Sequence, residues 1–174
     1  MVKIVKVFKE ELPNLRFIGK KYCDYDRGED GGFGNKWTLW HQTGDFNILE
    51  KLGALPENGD AYLGFMSCID GQFSYWIGMF FPENTSIPDG FGYLDIPKGN
   101  IGTCWIYGEQ NGELYGAEPH NMCVAKIEEN NWKIRSDFGD KKETYYFFEK
   151  YNCPRFTTPD ENGKVILDYC FYVD

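Results

Sequence analysis

The stretch YYFFEKYNCPRF, residues 145–156, sets one carboxylate, Glu149, among aromatic side chains. Strand alternation puts Tyr145, Phe147, Glu149 and Tyr151 on one face, and Tyr146, Phe148 and Lys150 on the other. An ionised carboxylate buried among rings costs on the order of several kcal/mol, so it must accept hydrogen bonds, meet a cation or bind a proton. Tyrosine hydroxyls supply the first. A cationic aromatic ligand supplies the second, each ring contact adding about 0.5–2 kcal/mol. The third raises the pKa toward what a general base needs near neutral pH. Glu149 therefore suits either a binder of cations or a hydrolase in which it orients or deprotonates water.

In the hydrolase, Tyr151 or Tyr115 would stabilise negative charge developing on a substrate carbonyl. Trp40, Trp76 and Trp105 are candidate walls for a planar ligand, with Tyr75 or Tyr22 as candidate hydroxyls and Cys170 as a contact from the last strand. Trp37 and Trp40 have a competing role as helix-to-sheet core. Trp76 and Tyr75 fall on opposite faces of one strand, so one of them is expected to reach a groove.

Other chemistries find no footing. No GxSxG elbow is present, and two histidines, His41 and His120, leave little room for a Ser-His-Asp set. Neither histidine has metal-ligand spacing around it, and none of the six cysteines forms a CxxC pair, so no metal and no cofactor are expected. The glycine-rich RGEDGGFGNK, residues 27–36, lacks GxxxxGK[ST] and reads as a loop. A net charge of -9 argues against nucleic acid and favours cationic small molecules or a basic protein partner. No run approaches the length of a membrane span and no leader pattern stands at the N-terminus, so a cytoplasmic protein without membrane contact is expected.

The elements that must position these residues are mostly strands. Segments 2–8, 15–25, 61–69, 72–81, 92–97, 101–108, 143–151 and 164–173 are β-prone, and Asp70-Gly71 is a two-residue hairpin turn. Helices are predicted over 35–55, weakened at Gly44, and over 118–132, with Met122, Ala125, Val124 and Ile127 facing inward. The order gives two β-α-β-β units, about 1–85 and 86–174, within a single domain over 1–174. An α+β fold follows: one antiparallel-rich sheet, two helices on one face and an aromatic ligand groove on the other.

In that order the stretches RFIGKKY (16–22), FSYWIGMFF (73–81), IPDGFGYLDIPKG (87–99), FEKY (148–151) and ILDYCFYV (166–173) resemble the GyrI-like small-molecule-binding domain. This domain is also the effector-binding half of multidrug-responsive transcription regulators. The resemblance implies a central groove for flat, hydrophobic, often cationic compounds, with the family's acidic residue falling on Glu149. Tyr172 stands where the family usually has proline. Some stand-alone relatives hydrolyse the strained cyclopropane of alkylating natural products, and that activity is implied by resemblance alone. Without a helix-turn-helix segment, a stand-alone domain is expected. Sequestration, hydrolysis and inhibition of an enzyme such as a topoisomerase are the three readings it leaves open.

Overall fold

The computed structural model describes residues 1–53, 61–138 and 141–174. Its elements in chain order begin with β1 (Lys3–Leu12), β2 (Leu15–Tyr22), a 3-10 turn (Asp24–Asp26), α1 (Gly34–Thr43) and α2 (Asp45–Glu50). There follow β3 (Tyr62–Ile69), β4 (Gln72–Pro82), β5 (Gly92–Ile96), β6 (Gly99–Glu109) and α3 (Ala117–Glu129). The chain closes with the short strands β7 (Asp137–Phe138) and β8 (Lys141–Lys142), then β9 (Tyr145–Tyr151) and β10 (Lys164–Val173).

Eight strands form one open antiparallel sheet in the order β1-β6-β10-β9-β3-β4-β2-β5, while β7 and β8 pair separately. The α+β class expected from the sequence is what the structure has. The order reads the same from either end when β1, β2, β3 and β4 are exchanged with β5, β6, β9 and β10. Asp70 and Gly71 hold φ of 50° and 75°, the left-handed pair that a tight hairpin turn requires. The helix predicted over 35–55 is split at Gly44, whose φ of 74° ends α1 and starts α2. Its last two positions, 54 and 55, lie outside the described residues. In α3 the buried stripe is Pro119, Cys123 and Ile127, four residues apart, and Ala125 faces out instead.

Two short links bend the sheet. Strands β1 and β2 belong to opposite ends of the order, yet only Pro13 and Asn14 join them; Pro97 and Lys98 join β5 and β6 in the same way. Such a link spans at most roughly 11 Å between its flanking Cα atoms. The sheet must therefore curl until its ends meet. Inside the curl Leu12, Leu15, Phe17, Phe65, Trp76, Phe80, Phe148 and Tyr172 pack against one another with no helix between them. The outer face carries the helices. Around α1 and α2 cluster Ile18, Ile77, Met79 and Phe81, and around α3 cluster Cys104, Ile106, Leu167 and Phe171.

Among the described residues this arrangement leaves no groove on the helix-free face. The helix-free, concave aromatic face expected to hold it is filled core, because every ring the curl encloses finds another ring. The cleft opens instead on the helix-bearing face. No helix among the described residues is long and apolar enough to cross a membrane.

Candidate functional site

Strand β9 runs between β10 and β3, so Glu149 stands mid-sheet with Tyr169 opposite it on one side and Gly64 on the other. All three belong to the helix-bearing face. Glu149 is 7% exposed, and its Oε2 accepts a 2.7 Å hydrogen bond from the Tyr151 hydroxyl two residues along the same strand. A Cβ at Gly64 would stand 3.1 Å from Glu149 Oε2 and 2.7 Å from the Tyr75 hydroxyl. The glycine is what lets these two groups converge over the strand.

Tyr75 is held from two sides. Phe33 stacks on its ring at 4.2 Å between centroids, and Trp37 Nε1 donates a 2.8 Å hydrogen bond to its hydroxyl. Trp37 also meets the Tyr151 ring edge-on at 4.6 Å. Tyr169 donates to the Leu114 carbonyl at 2.8 Å, which fixes the loop before α3 over the sheet. Tyr115 follows in that loop and is close enough for the Glu149 charge to act on it. Four tyrosines thus surround one carboxylate.

The electrostatics follow from burial. Burial pushes the Glu149 carboxyl up to about 7, against the hydrogen bond from Tyr151 that draws it back toward the ordinary range. Burial, then the Glu149 charge, raise Tyr75, Tyr151 and Tyr169 above the ordinary phenol value and push Tyr115 up to about 12. The hydroxyls are therefore neutral donors near pH 7. Among the described residues no lysine or arginine forms an ion pair with Glu149.

Above the carboxylate lies a cavity of about 470 Å³, within the range of drug-sized ligand pockets. Glu149 and Tyr169 sit in its lining with Phe147, Tyr145, Met66, Ser67 and Cys68 from the strands. Arg27 and Phe73 line it from the first half of the chain, and Gly116, Ala117 and His120 from the start of α3. Burial lowers the His120 pKa, so the ring is neutral, and it meets Phe147 edge-on at 4.8 Å. Among the described residues no group of three or more His, Cys, Asp or Glu is placed to hold a metal ion.

Of the residues singled out in the sequence, the structure places Glu149, Tyr145 and Phe147 in the lining of this cavity and Tyr151, Tyr75 and Tyr115 around the Glu149 carboxylate. It takes five elsewhere. Trp76 packs edge-on against Phe17 inside the curl, on the face that alternation denies to Tyr75. Cys170 is also inside the curl, its Sγ 3.7 Å from Thr103 Oγ1, because β10 pairs Tyr169, and not Cys170, with Glu149. Trp105 lies on that same face beneath the cations of Lys6 and Arg155, at 4.5 and 4.8 Å from its ring. Trp40 is fully buried between α1 and the sheet and spends its Nε1 hydrogen on the Tyr22 hydroxyl at 2.7 Å, which ties up both residues as core.

Sequence reasoning missed Tyr169, Gly64, Trp37 and His120 as site residues. Period-two alternation from Glu149 along β3 and β10 would have found the first two had the strand register been known.

No protein-family model and no curated protein matches the chain. Solved structures do. A Staphylococcus aureus MU50 protein, provisionally described as a bacterial transcription regulation protein, matches over 97% of this chain and 98% of its own at 18% identity, with a TM-score of 0.67. SAV2435, solved bound to tetraphenylphosphonium, matches over 98% and 94% at 16% identity with a TM-score of 0.66. EcmrR, solved in a complex with DNA, matches over 97% of this chain but only 57% of its own, at 9% identity with a TM-score of 0.55. At these identities the likeness is one of fold. The shared fold is consistent with the resemblance to the GyrI-like domain read in the sequence.

Proposed function

We propose that this protein binds hydrophobic, planar or cationic small molecules in the cleft above Glu149. The observation that carries this reading is a buried carboxylate whose protein partners are neutral hydroxyls, at the base of an open, largely apolar cavity. A carboxylate so placed lacks the cation that would offset its desolvation, and a ligand can supply it. Rings of Phe147, Tyr145 and Phe73 offer faces and edges to a flat or multi-ring cation. The tetraphenylphosphonium ion found on SAV2435, a protein of this fold, is a compound of that chemical kind.

Calorimetric titration at pH 8 with tetraphenylphosphonium and with neutral triphenylphosphine oxide tests the reading. Glu149→Gln is expected to weaken the phosphonium by about 10- to 100-fold while changing the neutral analogue little. Equal losses for both compounds, or none, would contradict it.

One observation favours a second reading. A carboxyl with a pKa of about 7 beside neutral tyrosine donors meets the demands of general-base hydrolysis. In this reading Glu149 takes a proton from water while Tyr151 or Tyr115 steadies negative charge on a strained, alkylating substrate such as a cyclopropane compound. Product mass after incubation separates the readings: hydrated product that disappears in Glu149→Gln supports hydrolysis, whereas bound, unchanged compound supports sequestration.

A further inference from the structure

The cavity that ends in Glu149 has a second charged side chain in its lining, Arg27. Its guanidinium carbon lies 4.7 Å from the Phe33 ring centroid and 5.4 Å from that of Phe73, which itself lines the cavity. Nε donates to Asp24 at 2.8 Å and Nη1 to the Gly31 carbonyl at 2.8 Å. These two bonds hold the group in place, the first as an ion pair with a carboxylate that is itself 72% exposed to solvent. Among the described residues nothing engages Nη2, and the side chain keeps 36% of its surface exposed. Gly116 and Ala117, in the first turn of α3, line the same cavity, and no side chain caps that turn. The N–H groups of Ala117 and Glu118 carry partial positive charge there, offset by the Glu118 carboxylate in the same turn, so the cation of the lining is Arg27.

One cavity thus has a buried negative charge and a fixed positive one in its lining, with apolar side chains such as Met66 and Phe147 also facing the space. We infer that the ligand is amphoteric: a cationic end seated on Glu149, a flat apolar body, and an anionic oxygen group, a carboxylate in the simplest case, meeting the guanidinium of Arg27. Resting on the reading of the cleft as a cation site, the inference adds a selectivity to it. A protein of net charge -9 disfavours an anionic substituent in general, so any preference for one must come from a local cation. A guanidinium already steadied by two protein bonds loses little freedom on meeting the ligand.

Two rhodamine dyes that share the xanthylium cation, one bearing a free carboxylate and the other its methyl ester, supply the test. Affinities are read by fluorescence anisotropy at pH 8, with Glu149→Gln, Arg27→Gln and Arg27→Lys alongside the unaltered protein. The acid is expected to bind about tenfold tighter than the ester. In Arg27→Gln that ratio falls to about one, and in Arg27→Lys, which keeps the charge but loses the fork, part of it survives. Glu149→Gln weakens both dyes alike, which establishes the cation site independently of Arg27. An ester that binds as tightly as the acid, or an acid preference that survives Arg27→Gln, overturns the inference and leaves the cation site standing. If neither dye binds the unaltered protein, both fall.

Discussion

Glu149 works against the folded protein that carries it. Its carboxyl titrates at about 7 in the fold, compared with about 4.3 in an unfolded chain. The folded state therefore holds the proton more tightly, and its stability is full below about pH 4 and falls as pH rises through 7. At pH 8 the loss is on the order of 3 kcal/mol. Glu149→Gln, which keeps the shape and removes the charge, is expected to stabilise the unliganded protein by about 2–3 kcal/mol at pH 8 and to change it little at pH 4. Urea unfolding at the two pH values measures this, and a variant less stable at pH 8 would mean that the ionised carboxylate is already satisfied. The Tyr151 hydrogen bond opposes the upward shift, so Tyr151→Phe should move the Glu149 titration above 7, seen as a displaced midpoint in pH-dependent binding. The acid and its face were legible in the sequence, because alternation separates Glu149 from Lys150 without reference to any other strand. Tyr169 was not legible, since the long connection over 152–163 sets no register between β9 and β10.

At the scale of the elements, three glycines mark where strands must approach something closely. Gly64 leaves the space above β3 in which Glu149 Oε2 and the Tyr75 hydroxyl meet. Gly64→Ala should displace those side-chain ends and weaken cation binding several-fold, with a smaller effect on stability, as titration and melting of one sample will show. Gly19 and Gly78 face each other across β2 and β4 with the Phe17 ring over both, and a Cβ on either would stand 2.1 Å from a backbone oxygen. Gly78→Ala is expected to cost about 3 kcal/mol in denaturant unfolding, because the backbone itself must move. The Asp70-Gly71 turn and the break at Gly44 were readable, each resting on a residue type that its backbone conformation demands. The pair β7 and β8 was not, because two-residue strands carry no alternation to detect.

At the scale of the molecule, the curl decides which face is free. Both faces of the sheet are rich in rings, so composition alone did not say which would fill with core and which would open. The answer depends on the Pro13-Asn14 and Pro97-Lys98 links, whose meaning appears only with the strand order. Phe65 is the hub of the enclosed face, in ring contact with Phe17, Phe80, Tyr146 and Phe148. Phe65→Ala should lower stability by about 3–5 kcal/mol while touching nothing in the cleft. The helix-bearing face stays open between the α1 side and α3, and there lies the cavity lined by Glu149, the proposed cation site. The most direct measurement is the affinity for tetraphenylphosphonium from pH 5.5 to 8.5, in the unaltered protein and in Glu149→Gln. A cation bound by an ionised Glu149 predicts affinity that climbs by up to about tenfold per pH unit below 7, levels off above it, and is weaker and flat in the variant. Affinity independent of pH in the unaltered protein, or the same climb in Glu149→Gln, would contradict the account.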